Sequence, residues 1–588
     1  MKKREEIPAE YKWEIDLFSD PKEIEDCLKL IDEFTKKVQT YNGKFGNADC
    51  FFDYYYSNEK TLEKIQQLSF FISNSLSIND ADIEILKLSE RFDSAMNKFE
   101  KATSFVEPQL QALDLEYLKA LLKDDRSKDI SNIIDDLIKH KKHSIDEKTS
   151  EVIAKISNSL SNSSSVFDTL STSEMYFEKA KDKDGNLHEV NPGEYSKLSH
   201  SQDRILRKNA FSNMMNGYGK LNKTITSLYL SSLKQDHDFS LLYNYNSTLE
   251  KVLSSQDVPI DVFYKNIEKV RENKQILQDY AKTKSKDMHI KDFSIFDLSV
   301  PLNDTKKYTI EEGKSLAISA LKPLGEEYLE KVKTELKNHS IDYLPHENKW
   351  AGGYCSDCFV AKTLILMNWT DNYDSASTLV HEIGHAVNAM YYNENQPFHK
   401  AGITIFAAEI ASTVNEILLN HYFLNTTSGT EKKIHLQHLF GNVIGTIFTQ
   451  TYYSEFEQYA HDCIEKDIPI SFKELNDKFF ELASFYLAPA CIVPKEYQYH
   501  WSRVPHFYTP FYVFCYSTGL ISAICIANRI LKNPSYSSKY IEFLKNGTSK
   551  PAYLALKEIG IDLASDQPYD EAFDYIKQCL NDYQSICK

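Results

Sequence analysis

The sequence predicts a mainly helical protein that folds into two or more lobes. Apolar residues recur at steps of three and four residues through most of the chain, as on one face of an α-helix. Glycine and proline are scarce, with 18 and 17 among 588 residues, which favours long regular elements over elaborate loops. A chain of this length exceeds one typical hydrophobic core, so at least two lobes are expected.

The sequence predicts two helical segments and one β-hairpin within the first 200 residues. Segments 21–41 and 149–156 have the apolar spacing of amphipathic helices. The Ser/Asn-rich segment 157–165 keeps that spacing, and we predict a helix with a polar face that frays. The Asp184-Gly185 pair between EMYFEKA and NLHEV is typical of a β-hairpin turn.

A domain boundary is predicted near residue 195, after this hairpin. Ser199 and Gln202 then match a capping box that begins the helix RILRKNAFSNMMNGY. The chain is thereby divided into an N-terminal helical domain, 1–195, and a larger domain, 196–588. No internal repeat at a fixed period is evident.

The composition of the sequence changes between residues 350 and 370. WAGGYCSDC indicates a loop, and the apolar FVAKTLILMNW at 359–369 indicates a strand of a small β-sheet. Asp374 offers an N-cap for the strongly patterned helix that follows, SASTLVHEIGHAVNAMYYN. Cys355 and Cys358 form a lone Cys-x-x-Cys without the partners of a zinc finger, so we expect two free thiols.

Composition and charge narrow the classes of partner. The hydrophobic share of 42% and the charged share of 26% are typical of a folded globular protein. The formal net charge of −17, without a basic arm or stripe, works against nonspecific binding to nucleic acids. We therefore expect no nucleic-acid partner, and the acidity itself indicates little beyond solubility.

The N-terminal segment and the cysteines predict a cytoplasmic protein. The start MKKREEIPAEYKWEIDLF is basic but lacks the apolar stretch of an export signal. Apolar runs such as ISAICIA at 521–527 have the length of core helices, so no membrane partner is expected. Ten cysteines are scattered without the spacing of a disulfide framework, which indicates reduced thiols.

HEIGH at 381–385 matches the pattern His-Glu-x-x-His. On a helix, His381 and His385 lie one turn apart on one face, so two imidazoles can bind one metal ion. Glu382 is rotated by about a hundred degrees, which places it where it can take a proton from water. A zinc ion bound in this way lowers the pKa of water towards ~7. With 17 histidines in the chain, a surface helix with two incidental histidines is the alternative.

A second helical segment, FAAEIASTVNEILLNHYFLN at 406–425, offers the third ligand that a catalytic zinc requires. Glu409 lies among small and apolar residues, where a carboxylate needs a partner. We predict metal ligation by Glu409, with capping of the helix start as the alternative. Glu416 lies on the same face and is predicted to bond a ligand histidine through its other ring nitrogen. Gly384, unfavourable inside a helix, indicates a close approach of backbone or ligand.

Several motifs together resemble one family. They are HEIGHA (381–386), AEIASTVNE (408–416), LILMNW before the helix that carries HEIGH, and RVPHFYTPFYVFCYSTG (503–519). Weaker matches are FDLSVPL, YTIEEGKSLAISAL and DRILRKNAF. On these motifs, which extend from about residue 195 to the C-terminus, the chain resembles the oligoendopeptidase F family of the thimet-oligopeptidase-like zinc metallopeptidases. The resemblance implies an almost all-helical, two-lobed shell that encloses a deep substrate channel, with 196–588 as the catalytic domain.

The resemblance also implies the composition of the site. One zinc ion per chain would be held by His381, His385 and Glu409, with Glu382 as the general base.

A C-terminal loop would add donors over the scissile carbonyl, from His506, Tyr512 and Tyr516, to stabilise the oxyanion of the transition state. Tyr508 is near and is assigned to substrate binding. An ordinary helix core with wet hydroxyl tips is the alternative for this aromatic run.

The predicted function is zinc-dependent hydrolysis of internal peptide bonds in short oligopeptides, with folded proteins excluded by the size of the channel. Asn368 and the strand 363–369 are predicted to bind the peptide along an exposed strand edge. An inactive peptide-binding scaffold is one alternative, against which the intact Glu382 argues. A metallohydrolase of another amide is the second, and the motif alone does not exclude it.

Overall fold

The computed structural model describes residues 2–160, 162–302 and 306–587. Helices dominate these residues, and the strands are short and confined to two small sheets. The predicted fold class is therefore confirmed in its helical content and in its small sheet beside the helix that carries HEIGH. The enclosed channel of the two-lobed shell stays a prediction.

The described residues form α-helices whose bounds, in chain order, are α1 Pro21–Lys37, α2 Ala48–Ile78, α3 Ile83–Thr103, α4 Val106–Ala112, α5 Leu115–Leu121, α6 Ser131–Lys139, α7 Glu147–Leu160, α8 Asn162–Thr169, α9 Pro192–Ser199, α10 Arg204–Lys220, α11 Asn222–Leu242, α12 Thr248–Ser255 and α13 Ile260–Glu272. They continue with α14 Lys274–Asp287, α15 Ile295–Leu298, α16 Ile310–Ala320, α17 Glu326–Lys337, α18 Tyr373–Asn395, α19 Ile410–Thr426, α20 Gly429–Asn442, α21 Gln450–Glu465, α22 Phe472–Leu487, α23 Phe514–Lys532, α24 Tyr536–Lys545, α25 Ala552–Glu558 and α26 Gln567–Ile586.

The strands form a hairpin and a three-stranded sheet. Their bounds are β1 Ala180–Lys181, β2 Leu187–His188, β3 Ile341–Asp342, β4 Tyr354–Ser356 and β5 Leu364–Leu366. β1 and β2 pair antiparallel around Gly185, whose φ of +92° suits glycine, so the predicted hairpin is confirmed. In the second sheet the strand order is β3-β5-β4, with β5 parallel to β3 and antiparallel to β4.

The chain divides into two compact units, each built from three segments. Unit 1 consists of Met1–Glu151, Lys306–Tyr422 and Ile526–Ile559. Unit 2 consists of Val152–Thr305, Phe423–Cys525 and Gly560–Lys588. The boundary near residue 195 stays a prediction about the sequence.

Helix α1 shows how local sequence determines an element of unit 1. Asp20 accepts a hydrogen bond from the Lys22 amide, and Pro21 occupies the first helical position, where its missing N–H costs nothing. Ile31 and Phe34, on one face, are buried in a core shared with α2 and α3. The predicted helix over 21–41 is confirmed, with a single 3-10 turn after Lys37.

Two expectations before residue 220 have different outcomes. Segment 157–165 is helical wherever the structure describes it, in α7 and α8, and Ser161 lies outside the described residues. The capping box at Ser199 is wrong, because Ser199 ends α9. Asp203 begins α10 instead, since its carboxylate accepts from the amides of Ile205 and Leu206.

Among the described residues, one helix has the length and composition to cross a membrane. This helix is α23, and 83% of its apolar window is buried inside the protein, as in the core of a globular fold. Helix α23 extends well beyond ISAICIA at 521–527, so the apolar helix is longer than this short run of apolar residues suggested.

Candidate metal centre and active site

Helix α18 carries the HEIGH motif and begins at Tyr373, two residues before the start predicted from an N-cap at Asp374. Asn372, and not the predicted Asp374, is the N-cap, because its side chain accepts from the Ser375 amide at 2.9 Å. Asp374 lies in the first turn, where a negative charge favours the helix dipole. The predicted packed face of α18 is fully buried and comprises Leu379, Val380, Ile383, Ala386 and Val387.

Gly384 lets the backbone of α18 approach the start of α19 directly. A Cβ atom at this position would lie 2.5 Å from Ser412 Cα and 2.8 Å from the Ala411 carbonyl oxygen. The close backbone approach predicted from this glycine is therefore confirmed. The side chain of Asn415 fastens the same two helices, because it donates to the Val380 carbonyl at 3.1 Å.

This helix contact brings three predicted ligands into one cluster, His381, His385 and Glu409. Their donor atoms form a nearly equilateral triangle. The two Nε2 atoms are 3.2 Å apart, and Glu409 Oε2 is 3.4 Å from that of His381 and 3.5 Å from that of His385. Zinc bonds of about 2.0–2.1 Å at tetrahedral angles require donor separations of about 3.3–3.4 Å. The triangle thus fits three ligands of a tetrahedral zinc ion.

Glu416 orients one of the two imidazoles. Its Oε1 lies 2.6 Å from His381 Nδ1, the contact that the sequence predicted. Because a carboxylate only accepts hydrogen bonds, Nδ1 carries a proton, and Nε2 points into the triangle, where it can bind a metal ion once it is deprotonated. Glu409 is held as well, since Ser412 Oγ donates to its Oε2 at 3.0 Å.

Burial and hydrogen bonds together determine the charges of these ligands. Burial opposes charge on His381, yet its bonds to Glu409 and Glu416 raise the pKa of the imidazole well above its ordinary value. Burial also opposes charge on Glu409, but its bonds to His381 and His385 hold the pKa of that carboxyl far below its usual range. The cluster is thus anionic at Glu409, and metal binding must displace a proton from the His381 imidazole.

The triangle opens into a cavity of about 420 Å³ in unit 1. Its lining residues come from α18, from β4 and the turns beside it, and from the segment before α19: Gly353, Tyr354, Cys355, Asp357, His381, Glu382, His385, Asn388, Ala389, Tyr392, Ile403 and Glu409. Glu382 is only 6% exposed, and its burial raises the pKa of the carboxyl, which His381 and His385 counteract. A carboxyl with a pKa raised in this way suits a general base.

The small sheet corrects one expectation about substrate binding. β5 is the central strand, so the exposed edge predicted for 363–369 is wrong. The side chain of Asn368 donates to the carbonyls of Trp350 and Gly352 at 3.0 and 2.9 Å and thereby holds the turn before β4. The edge that borders the cavity belongs to β4, and in the described residues no strand pairs with its other side.

The three predicted transition-state donors, His506, Tyr512 and Tyr516, lie in unit 2 and form one group. The Tyr516 and Tyr512 hydroxyls are 3.1 Å apart, and Tyr516 Oη lies 3.5 Å from His506 Nε2. The His506 ring is parallel to that of Tyr512, with centroids 5.7 Å apart. Burial lowers the pKa of His506, so a neutral imidazole is favoured.

Tyr508 does not join this group. Its ring stacks on Phe167 at 4.8 Å, and burial raises the pKa of its hydroxyl, which has no hydrogen-bond partner within the described ranges. Core packing, the alternative considered for this aromatic run, is therefore favoured for Tyr508 alone among the four residues.

Two residues near the sites have no counterpart in the sequence predictions. Asp357 and its hydrogen-bond partner Tyr392 both line the metal-centre cavity, with Tyr392 coming from the far end of α18. The acidic residue between the two cysteines of the predicted Gly/Cys loop was the available signal. Its position beside the metal centre depends on how β4 pairs with β5, which the sequence pattern does not specify.

Comparison with known proteins identifies the family. The model of peptidase family M3 matches residues 197–575, and the oligopeptidase F model matches residues 109–177. The chain belongs to peptidase family M3. It is 29% identical to oligopeptidase PepF of Bacillus subtilis (strain 168) over 99% of this chain and 88% of that protein.

Solved structures agree with this assignment. The fold matches a protein from Chlamydophila abortus with a TM-score of 0.93 and 27% identity over the whole of both chains. It matches oligoendopeptidase-F from Enterococcus faecium with a TM-score of 0.74 and 25% identity over 97% of this chain and 99% of that one. The resemblance to oligoendopeptidase F is confirmed. As a member of family M3, this chain is a peptidase of the oligopeptidase type.

Proposed function

We propose that the chain is a zinc-dependent endopeptidase that hydrolyses internal bonds of short peptides. One observation carries the proposal: two imidazole nitrogens and a carboxylate oxygen form a triangle with edges of 3.2–3.5 Å, the separation of tetrahedral zinc ligands. The membership of the chain in family M3 supports the peptide as substrate.

His381, His385 and Glu409 would hold one zinc ion per chain. When bound, the ion supplies a Lewis acid that lowers the pKa of water to about 7 and polarises a carbonyl. Glu416 keeps His381 in the tautomer that binds a metal. The three ligands leave the cavity side open to water and substrate.

Glu382 would act as the general base. It follows the first ligand on α18 and lines the same cavity. Its carboxylate accepts the proton of the attacking water and afterwards donates it to the leaving amine. The elevated pKa that burial gives this carboxyl brings it closer to the pKa of that water, which favours transfer in both directions.

The edge of β4 would bind the peptide backbone. An extended peptide adds to a free strand edge through main-chain hydrogen bonds, which tolerate many sequences. Because the N–H groups of a strand point alternately to opposite sides, methylating successive peptide nitrogens would weaken binding at every second position. Equal losses at consecutive positions would contradict strand addition. Asn368 would support this edge through its bonds to the turn before β4.

His506, Tyr512 and Tyr516 would donate hydrogen bonds to the oxyanion of the transition state. Their mutual contacts and the resemblance of the RVPHFYTPFYVFCYSTG motif support this role. Donors held in place before the reaction stabilise charge without reorganisation.

Hydrolysis of an internally quenched peptide of about eight residues tests the proposal. A metal chelator should abolish cleavage, zinc should restore it, and mass spectrometry should find the cut at an internal bond. Glu382→Gln should retain zinc and lose turnover by about a thousandfold or more. Full activity of that variant would contradict the mechanism. Casein cleaved as fast as the peptide would contradict the exclusion of large substrates that we propose.

We also propose that the protein works in the cytoplasm on soluble peptides, without nucleic-acid or membrane partners. All ten cysteines are free thiols, which suits a reducing compartment. Activity in the cytosolic fraction of its own cells, and none in the secreted or membrane fractions, is the expected result.

A further inference from the structure

Asp357 lies on the wall of the metal-centre cavity but has no part in the proposed mechanism. It follows the end of β4 directly and lines the cavity together with His385 and Glu409. More than a third of its surface is accessible to water. Burial raises the pKa of its carboxyl, and a hydrogen bond from the Tyr392 hydroxyl, which also orients the carboxyl within the cavity, counteracts this shift.

The charges in this cavity do not balance. Carboxylates of Asp357, Glu382 and Glu409 share it with two imidazoles, and its lining within the described part of the chain contains no lysine or arginine. Asp357 forms no ion pair with any described lysine, arginine or histidine. A divalent ion in the triangle offsets two of the three negative charges, so one remains.

We infer that Asp357 recognises a cationic group of the bound peptide, a lysine or arginine side chain or a free α-amino group. This inference rests on the proposed function. An unpaired carboxylate in a concave site attracts a cation more strongly than one on a flat surface, because less water screens the pair. The same charge disfavours an acidic residue at that position of the peptide, so Asp357 contributes both selection and exclusion.

A purely structural role for Asp357 can be separated from recognition. Asp357→Asn removes the charge but keeps a carbonyl oxygen that accepts from Tyr392, so the wall of the cavity is preserved. The matched control is Glu14→Gln, which changes the net charge of the chain by the same amount. Glu14 is exposed in unit 1 and does not line the cavity.

Peptides that differ in one residue provide the test. Each is an internally quenched, N-acetylated octapeptide that carries lysine, norleucine or glutamate at one position near the cleaved bond. A further norleucine peptide has a free amino terminus. The readout is the ratio of kcat/KM for the cationic peptide to that for the acetylated norleucine peptide, measured for the wild type, Asp357→Asn and Glu14→Gln.

At one position the wild type should prefer the cationic peptide by roughly fivefold, the scale of a partly screened ion pair. Asp357→Asn should bring the ratio close to one, Glu14→Gln should leave it unchanged, and Asp357→Lys should favour glutamate. A preference for lysine peptides identifies a side-chain pocket, whereas a preference for the unacetylated peptide alone identifies a site for the amino terminus. A wild-type ratio of one at every position, or a preference that persists in Asp357→Asn, would overturn the inference.

Binding separates this inference from the proposed function. Fluorescence anisotropy of labelled lysine and norleucine peptides is measured with the Glu382→Gln protein and with the Glu382→Gln/Asp357→Asn protein. A lysine preference that disappears in the double variant supports Asp357 even where the wild type cleaves nothing. If the wild type cleaves norleucine and lysine peptides equally and Glu382→Gln binds them equally, the peptidase stands and recognition by Asp357 fails.

Discussion

The Glu457 carboxylate accepts a hydrogen bond of 2.6 Å from the backbone N–H of Phe511, the residue directly before Tyr512. Phe511 has a φ of +51°, a conformation that non-glycine residues rarely adopt. Both residues are buried, and the ring of His461 lies 4.6 Å from that of Phe511. Helix α21 therefore holds the turn that leads into Tyr512 and α23.

We expect Glu457→Ala to lower kcat by about tenfold with little change in KM, because the turn relaxes and Tyr512 loses its position. An unpaired buried amide would also lower the free energy of unfolding by about 1–3 kcal/mol. Glu457→Gln keeps an acceptor for Phe511 and should retain most activity, as burial already raises the pKa of Glu457 and favours its neutral form. Steady-state kinetics and urea unfolding of both variants measure these effects, and equal kcat values for alanine and glutamine would refute the role.

Gly384→Ala should destabilise the protein by about 1–3 kcal/mol and weaken metal binding, because the added methyl meets the backbone at Ser412. Gly441→Ala is the matched control. Gly441 also lies in a helix, α20, but a Cβ there meets nothing within 4 Å. That control should be neutral or stabilising by up to about 1 kcal/mol. Denaturant unfolding and zinc content of the two variants measure the difference, and equal stability would show that α18 and α19 separate without cost.

Glu416→Gln should weaken zinc binding by about 10–100-fold, since the amide no longer fixes the tautomer of His381 with a charged acceptor. Competition with a chelator of known affinity gives this number directly. Glu394→Gln, on the same helix as the histidines but in an exposed ion pair with Lys331, serves as the control and should bind zinc like the wild type. An unchanged zinc affinity in Glu416→Gln would show that Glu416 contributes only to packing.

The Asp236 carboxyl, on α11, gives a pH-dependent prediction far from the metal ligands in sequence. Burial raises its pKa to about 7, although Lys251 counteracts this. The unfolded chain loses this proton near pH 4, whereas the folded chain keeps it until about pH 7. Folding is therefore disfavoured progressively as pH rises through that window.

Asp236→Asn should remove this loss of stability. The gain in unfolding free energy should be on the order of 2–4 kcal/mol larger at pH 8 than at pH 4. Asp238→Asn, an exposed position on the same helix, should give equal values at both pH values. Urea unfolding at the two pH values measures the effect, and a larger gain at pH 4 would reverse the sign of the argument.

The cluster of His381, His385 and Glu409 could be predicted from the sequence because helical spacing determines which residues share a face and the family motifs indicate the third member. His381 and His385 are four residues apart on α18, so they point one way. Glu409 lies directly before α19, seven residues from Glu416, and its side chain is held by the Ser412 hydroxyl. Gly384 added the information that the two helices touch at their backbones. The family motifs then supplied the order of the elements.

Other features depend on contacts that a linear pattern does not contain. Asn372 and Asp374 are both good capping residues, and the direction in which the chain enters α18 decides between them. The central position of β5 follows from its parallel pairing with β3, more than twenty residues earlier. Asp357 lines the cavity because the antiparallel pairing of β4 with β5 places β4 beside α18.

The contact of Gly384 with Ser412 has a consequence for the identity of the metal. Calcium, with bonds of about 2.3–2.6 Å, would need donor separations of about 3.8–4.2 Å at tetrahedral angles and prefers more oxygen ligands. Widening the triangle to that size would require Glu409 to move away from the two histidines, and the contact of α18 with α19 at Gly384, together with the Asn415 bond to Val380, opposes this movement. A hydrogen atom in place of a methyl group thus keeps the triangle narrow, and a narrow triangle with two nitrogen donors would favour small, nitrogen-binding ions over calcium.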